Sequence, residues 1–552
     1  MPGCHNGAIL SSVLPGFLLP RKAAPAAILA PAPGVRSRRF QGKPSEPIPV
    51  TAPRPDILFI VLDAARAENF SLYGYERRTT PHLERLAESL AWYENCTSAA
   101  TWTLPSTASL FTGTYNSHHR LVMDGDRLAE DYASLPEILQ SAGYSTSKVT
   151  SVVPYVSDFS GLDRGFAFNW EPPPPRWRTL LKRVRGSAPP QAQADCSSME
   201  RIDHDLSVEA EAQLHARSSL RGKLSFYASG FYDDGGAACF RRVRELWREP
   251  HDAPRFVYMH LQETHGEYRP PHRYRKRFVP RELHKKSFAA INQRPNPHAV
   301  GLVDMTEEDF EVLRGLYDGA IAYMDEQLGA LLDDLASQPG WDDTLVIITA
   351  DHGDCVGRHG VLGHQFVCYE ELLRIPWIVK WPRSVGILGA QSQLIQNVDL
   401  LPTLCGLLGL ERPAQVESID YLREQREFAY AELLKPFGVT AVKQGLHELA
   451  PHYNRAVLAV RSQRYKWHTF SNHQRDELYD LHSDPLEEQN LMGYGSKFQL
   501  DAEARSLEAA MEAWKPRWKS AADDIEARVF SGESAAVSSD VEAKLRALGY
   551  LD

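Results

Sequence analysis

The sequence has no long apolar run and no closely spaced pair of cysteines. No stretch of about 18 or more apolar residues occurs, so a transmembrane helix is not expected. The seven cysteines lie at irregular spacing without a CxxC pair, which favours buried free thiols over a disulfide framework or a zinc cluster. The 71 acidic residues outnumber the 61 basic Lys and Arg residues. The formal net charge of −10 argues against a nucleic-acid partner.

The remaining composition is that of a globular protein, except at the N-terminus. With 552 residues, 43% of them hydrophobic, the chain can form one large core and a smaller domain. Residues 1–53 are rich in Ala, Pro, Gly and Arg, and basic Arg21 and Lys22 follow their short apolar stretch. A signal peptide has the opposite order, so a disordered tail is favoured over an export signal. We therefore expect a soluble protein, and its location stays open with the cytoplasm favoured.

Short apolar runs that end near acidic residues indicate the fold class. The run at 56–63 reads as a buried strand with Asp63 at its C-terminal edge. Three further runs resemble it, and residues 310–335 have the spacing of a helix. These three strand candidates are 255–261, 344–349 and 375–381. Strands alternating with helices predict an α/β sandwich with a large, mostly parallel sheet.

Changes of composition predict the domain boundaries. We expect a catalytic domain over 54–410, a small antiparallel sheet over 411–500 and a helical tail over 501–552, in which 502–518 and 541–548 read as helices. Residues 170–250 contain an insertion or lid. Within it, residues 176–185 alternate Arg with Trp and Leu, which suits either peripheral contact with a membrane surface or a solvated loop.

Polar residues at strand ends and in one turn suggest chemistry. Asp63 ends one predicted strand, and Asp351 and His352 follow another. Thr103 lies in a Thr/Ser-rich turn that leads into an apolar helix, an arrangement that favours anion binding. Two carboxylates and an imidazole suit a divalent cation, and a hydroxyl bound to such a cation becomes a nucleophile near neutral pH. Each signal is weak alone, and the prediction depends on their joint occurrence.

Seven sequence blocks resemble the sulfatase-like branch of the alkaline phosphatase superfamily, from about Pro55 to Leu551. They occur in the order typical of that family, which implies its fold and a metal-dependent hydrolase or transferase activity. The blocks are IVLDAARAENFSLYGYERRTTPHLERLA, TWTLPSTASLFTG, HLQETHGEY, IITADHGDCVGRHG, HQFVCYEELLRIPWIVKWP, NVDLLPTL and ELYDLHSDPLEEQNL.

The resemblance assigns roles to individual residues. It implies that Asp63, Asp351 and His352 bind a metal together with Thr103, which occupies the nucleophile position. His265 matches a histidine that contacts the transferred group in relatives.

Two further positions depart from the family pattern. His364 stands where classical sulfatases have a lysine, and Ala64 replaces a second metal-binding aspartate. This set implies one divalent ion, with Mn²⁺, Mg²⁺, Ca²⁺ and Zn²⁺ all compatible.

The nucleophile position decides between reaction types. Sulfatases of the usual kind convert Cys or Ser into formylglycine, which Thr103 cannot form, and Thr107 replaces their arginine. We therefore predict cleavage of phosphate (di)esters or phosphonate esters through a covalent Thr103 intermediate. His364, or His359 as an alternative, would protonate the leaving oxygen.

Three alternatives remain open beside this prediction. They are a sulfatase without formylglycine, a phosphoalcohol transferase acting on lipid or glycan, and a non-catalytic binding protein. The substrate would be a small-molecule, lipid or glycan ester. The alcohol part of the substrate and the oligomeric state stay open. The choice between hydrolysis and transfer also stays open, because both reactions use the same covalent intermediate.

Overall fold

The structure is a computed structural model that describes three long segments in one compact unit. They span 54–173, 233–435 and 445–531, apart from single positions at 124, 152, 287, 473, 494, 495 and 497. The predicted tail 1–53, the basic piece 176–185 and the predicted helix 541–548 lie outside the described residues.

Fourteen strands occur in the described segments. In chain order they are β1 (Ile57–Leu62), β2 (Ala91–Thr97), β3 (Ser145–Thr150), β4 (Phe168–Trp170), β5 (Arg255–Leu261), β6 (Leu345–Thr349), β7 (Cys355–Val356), β8 (Leu362–Gly363), β9 (Trp377–Lys380), β10 (Gly389–Gln396), β11 (Ala429–Leu433), β12 (Val457–Arg461), β13 (Tyr465–Phe470) and β14 (Glu477–Asp480).

Twelve α-helices are found in the same described segments. They are α1 (Pro81–Leu86), α2 (Thr103–Thr112), α3 (Asn116–His119), α4 (Leu135–Ser141), α5 (Gly236–Arg248), α6 (His272–Phe278), α7 (Pro295–Ala299), α8 (Glu307–Ala336), α9 (Glu370–Leu373), α10 (Leu400–Leu408), α11 (Leu446–Leu449) and α12 (Ala502–Ser531).

Eight strands form the large sheet, in the order β10-β2-β9-β6-β1-β5-β3-β4. All neighbours are parallel except β9, which runs antiparallel to both β2 and β6. Every residue of β1, β5 and β6 is buried, as expected for central strands covered on both faces. The prediction of an α/β fold with a large, mostly parallel sheet is therefore confirmed.

The strand predictions agree closely with the structure. The four predicted runs correspond to β1, β5, β6 and β9, and the bounds of β5 coincide with the predicted 255–261. A separate four-stranded antiparallel sheet, β11-β12-β13-β14, contains the apolar runs that followed the first domain.

Helix α8 is the long helix predicted over 310–335. It begins with a capping box, in which Thr306 accepts a hydrogen bond from the backbone N–H of Asp309, and this cap contributes about 1 kcal/mol. It packs against α1, α5 and α6. Helix α2 carries Thr103 at its first position, is buried along its whole length and packs against α3, α4 and α10.

Helix α12 is longer than predicted. The expected helix over 502–518 continues to Ser531 with Pro516 inside it. Buried Ile525 and Val529 continue the apolar face beyond the predicted end, and the helix packs on β12 and β13.

Two expectations from composition can be compared with the described segments. Five cysteines there are free and buried, as predicted: Cys96, Cys239, Cys355, Cys368 and Cys405. No helix in the described part of the chain combines the length and apolar character needed to cross a membrane.

Candidate metal and catalytic site

Two neighbouring strands bring the predicted metal ligands together. Strand β1 lies between β5 and β6 with parallel register on both sides, so the carboxyl ends of the three strands meet at one edge. Asp63 follows β1, and Asp351 and His352 follow β6. One side-chain atom from each of these three residues lies within 4.8 Å of those of the other two. Ligands of open α/β sheets bind at this edge.

The distances within this cluster suit one cation. The Nε2 atom of His352 lies 3.6 Å from Oδ1 of Asp63 and 3.5 Å from Oδ2 of Asp351. Neighbouring ligand atoms around a six-coordinate metal with bonds of about 2.1 Å are about 3 Å apart, so these separations require only a small contraction.

The hydrogen bonds of the cluster leave ligand atoms available for a metal. Oδ1 of Asp63 and Oδ2 of Asp351 are buried and have no hydrogen-bond partner among the described residues. Nδ1–H of His352 donates to the carbonyl of Gly353 at 2.7 Å, which leaves the lone pair of Nε2 facing the carboxylates. Metal-binding histidines are typically oriented in this way. The residues present therefore fit a divalent ion, and an empty cluster of this kind would be costly to bury.

Local charges keep the Asp63 carboxyl ionised. Burial opposes ionisation, but electrostatic interaction with the neighbouring rings of His265, His260 and His352 outweighs it and holds the pKa of Asp63 below its usual value. A deprotonated carboxylate is the form that binds a cation.

Thr103 lies beside the metal cluster. Its Oγ1 atom is 3.3 Å from Nε2 of His352, and the residue is fully buried at the start of α2. The first turn of a helix presents unpaired backbone N–H groups and a partial positive charge, both of which stabilise an anion. The hydroxyl is thus close to both the candidate cation and an anion-binding helix end.

A buried hydrogen-bond network fixes α2 relative to the metal cluster. The hydroxyls of Ser98 and Ser106 both donate to the backbone carbonyl of Asp351 at 2.6 Å. The Asn397 amide donates to Ser106 at 3.0 Å and its oxygen accepts from the backbone N–H of Ala99 at 2.9 Å. These contacts hold the carbonyl of a metal-ligand residue and the nucleophile helix in one arrangement.

Two further histidines complete the site. The ring centroid of His364 lies 4.5 Å from that of His352 and 5.0 Å from that of His265. Nδ1 of His364 lies 3.2 Å from Oδ1 of Asp354, and Tyr268 donates to the other carboxylate oxygen. Nδ1–H of His265 donates to the carbonyl of Gly266. Both rings are therefore held in place beside the metal cluster.

The contacts of His359 and Arg66 are with residues outside the metal cluster. His359 is stacked on Tyr369 with ring centroids 4.0 Å apart, and its Nε2 lies 3.1 Å from the carbonyl of Leu486. The alternative assignment of His359 as the proton donor therefore lacks geometric support. Arg66 is buried in ion pairs with Glu68 and Glu371, which indicates a structural role.

Two residues near the site were missed by sequence reasoning. His260 lies within the apolar strand β5, where it reads as a core residue, yet its Nε2 faces Asp63 at 3.3 Å. Asp354 was not among the predicted site residues. The β7–β8 pairing aligns Cys355 with Gly363, which brings Asp354 beside His364. His260 could have been identified from the sequence, because it lies near the end of a buried strand that was expected to neighbour the strand ending at Asp63.

Comparison with known proteins identifies the family of this chain. Residues 55–410, well over half of the chain, match the sulfatase family model. The chain belongs to the sulfatase family. Residues 357–513 also match the model described as N-sulphoglucosamine sulphohydrolase, C-terminal. Family membership makes this protein a sulfatase-superfamily hydrolase, and the predicted resemblance is confirmed.

Individual relatives are distant but extend over most of the chain. An N-acetylglucosamine-6-O-sulfatase of Bacteroides thetaiotaomicron is 22% identical and covers 87% of this chain and 90% of its own. A choline-sulfatase of Rhizobium meliloti is 26% identical over 80% of this chain and 83% of its own. The structure of a phosphonate monoester hydrolase of Agrobacterium radiobacter aligns with a TM-score of 0.60 at 21% identity, over 85% of this chain and 96% of that one. This structural likeness supports the fold.

Proposed function

We propose that this sulfatase-family hydrolase cleaves phosphate diesters or phosphonate monoesters with the hydroxyl of Thr103 as nucleophile. The observation that carries the proposal is the position of Thr103 Oγ1, 3.3 Å from His352 in the candidate metal cluster and at the buried start of α2. A threonine side chain cannot be converted to the aldehyde hydrate of formylglycine, because its Cβ carries a methyl group. The hydroxyl itself must therefore attack.

The reaction divides into two displacements. The Thr103 hydroxyl gives its proton to solvent and Oγ1 forms a bond to phosphorus, while the bond to the leaving oxygen breaks and that oxygen takes a proton from His364. The product is a threonyl phosphate ester or threonyl phosphonate. Water then gives a proton to His364 and attacks the same phosphorus, Thr103 leaves with its oxygen and regains a proton from solvent, and the free phosphate monoester or phosphonate is released.

The side chains of the site support these steps. When bound, a divalent cation at Asp63, Asp351 and His352 would lower the pKa of the attacking hydroxyl and offset charge on the phosphoryl oxygens. His265 and the first turn of α2 supply fixed positive dipoles for the remaining oxygens. Asp354 keeps His364 oriented for proton donation through the contact of 3.2 Å.

Sulfate-ester hydrolysis is the second candidate. It is favoured by the relatives, since both curated relatives named above are sulfatases. A sulfuryl group is also tetrahedral and would meet the same cation and helix end. Under this candidate, Thr103 would attack sulfur without formylglycine.

A matched panel of esters separates the two candidates. Aryl phosphate diester, phosphonate monoester, phosphate monoester and sulfate ester with one leaving group are compared with added Mn²⁺, using wild type, Thr103→Ala and Thr103→Ser. Thr112→Ala serves as the control, since Thr112 lies at the far end of the same helix and donates to Ala108.

The proposal predicts that the diester or phosphonate is the best substrate. Thr103→Ala should lose at least about 10³-fold in kcat, as expected for removal of a nucleophile, whereas Thr103→Ser retains activity. The control should stay within about threefold of wild type. Preferred turnover of the sulfate ester would support the second candidate instead, and full activity of Thr103→Ala would eliminate both.

A further inference from the structure

The three predicted protein ligands leave the coordination shell of a cation incomplete. Asp63, Asp351 and His352 supply three side chains, and Thr103 can add a hydroxyl. Divalent ions such as Mn²⁺ and Mg²⁺ bind about six donor atoms, of which substrate and water provide some. The residue after Asp63 is Ala64, which has no side-chain donor.

A fourth buried side chain faces the same carboxylates. His260 is fully buried near the end of β5, and its Nε2 lies 3.3 Å from Oδ2 of Asp63 and 3.8 Å from Oδ2 of Asp351. Adjacent ligand atoms of one ion lie about 3 Å apart, so the first distance requires a small contraction and the second a larger one. Nε2 of His260 is within reach of the Asp63 carboxylate, but its direction does not satisfy hydrogen-bond geometry with any described residue. A buried ring nitrogen in this position needs a physical reason.

The other ring nitrogen of His260 is already occupied. Nδ1 lies 2.8 Å from the hydroxyl of Tyr258, which is buried two residues earlier in the same strand. When Nδ1–H donates to that hydroxyl, the lone pair of Nε2 faces Asp63 and Asp351. This is the orientation that a metal-bound imidazole requires, with a hydrogen bond fixing the tautomer from behind.

We propose that His260 is a ligand of the divalent cation bound by Asp63, Asp351 and His352. His260, on β5, supplies a ligand atom, whereas the side chain of Ala64 has none. Three adjacent strand ends, those of β1, β5 and β6, then each contribute to the metal site. The inference rests on the metal dependence of the proposed function, but not on the identity of the ester that is cleaved.

The test counts imidazole ligands and measures metal affinity without substrate. Full-length protein is stripped of metal, and binding of Mn²⁺ is followed by the electron paramagnetic resonance signal of the free ion. Electron spin echo modulation of bound Mn²⁺ then reports directly coordinated nitrogens. The variants are His260→Ala, His260→Gln and Tyr258→Phe.

His119→Gln is the matched control. His119 is also a buried histidine, but its ring lies 3.1 Å from the hydroxyl of Ser109 and accepts from the backbone N–H of Leu121. This variant should bind Mn²⁺ as wild type does. It separates loss of a ligand from general effects of removing a buried imidazole.

Wild type should show modulation from at least two imidazoles, and His260→Ala and His260→Gln one fewer. Because even outer hydrogen-bond partners of ligands change metal affinity by about 10–100-fold, both variants should weaken Mn²⁺ binding by about 100-fold or more, and Tyr258→Phe by about tenfold. A single imidazole in wild type would overturn the proposal even if the variants failed to fold. An unchanged nitrogen count in His260→Gln would also overturn it. These measurements contain no ester, so they test metal binding by His260 independently of whether Thr103 cleaves a phosphate or phosphonate ester.

Discussion

Substitution of Asp354 by Asn tests whether His364 protonates the leaving group. Asp354 and His364 are both buried, and Nδ1 of His364 lies 3.2 Å from the carboxylate. Burial opposes ionisation, yet the hydrogen bond and positive charge of His364 lower the pKa of Asp354, so this pair is charge-assisted. A hydrogen bond to a charged group is worth about 1.5–3 kcal/mol, which corresponds to roughly a 10–150-fold change in rate.

The effect of Asp354→Asn should depend on the leaving group. An alkoxide leaving group needs a proton in the transition state, so kcat for an alkyl ester should fall by the full 10–150-fold. A 4-nitrophenolate needs little help, and its kcat should change by less than about fivefold. The assay is steady-state kinetics on a series of esters that share the phosphoryl group and differ in leaving-group pKa.

Tyr268→Phe provides the control for this experiment. It removes the hydroxyl that donates to the other oxygen of Asp354 but keeps the carboxylate beside His364. Its loss of activity should be smaller and nearly independent of the leaving group. If Asp354→Asn slows the alkyl and 4-nitrophenyl esters equally, Asp354 has a structural role and His364 is not the general acid.

Three further perturbations have outcomes set by the structure. Asn397→Ala leaves the buried N–H of Ala99 without a partner and removes one hydrogen bond to Ser106, so the free energy of unfolding should fall by about 1.5–4.5 kcal/mol in urea denaturation, and an unchanged midpoint would contradict the network. Burial and nearby carboxylates raise the pKa of Glu263 to about 8. The folded state therefore keeps a proton that the unfolded chain releases, stability falls as pH rises from about 4.5 to 8, and Glu263→Gln should remove that dependence in thermal unfolding. A Cβ added at Gly353 would overlap the carbonyl oxygen of Glu371, so Gly353→Ala should weaken Mn²⁺ binding and lower Tm, whereas wild-type values would show that the loop adapts.

Much of the large sheet could be predicted because its central strands have a simple pattern. Strands β1, β5 and β6 are continuous apolar runs, and a strand buried on both faces requires that composition. Acidic residues follow both β1 and β6. Because ligands of open α/β sheets bind at the carboxyl ends of the strands, these residues indicated that the two strands are parallel. The end of α12 was predicted too early, because the apolar face that extends it depends on packing against β12 and β13.

The site was only partly predictable for related reasons. The motif around Thr103 and the Asp351–His352 pair indicated chemistry directly, and the structure brings them together. The contact between Asp354 and His364 depends on the pairing of β7 with β8, two-residue strands too short to give a periodic signal. His260 looks like core in β5, because the strand register that turns it toward Asp63 is a tertiary property.

Trapping the covalent intermediate tests the central claim most directly. Enzyme loaded with Mn²⁺ is mixed with an aryl phosphonate monoester, quenched in acid within milliseconds and digested for peptide mass spectrometry. The account predicts a phosphonyl group on Thr103 in wild type, absent from Thr103→Ala and retained in the Thr112→Ala control. Turnover of the ester without an adduct on Thr103, or an adduct on another residue, would contradict the account.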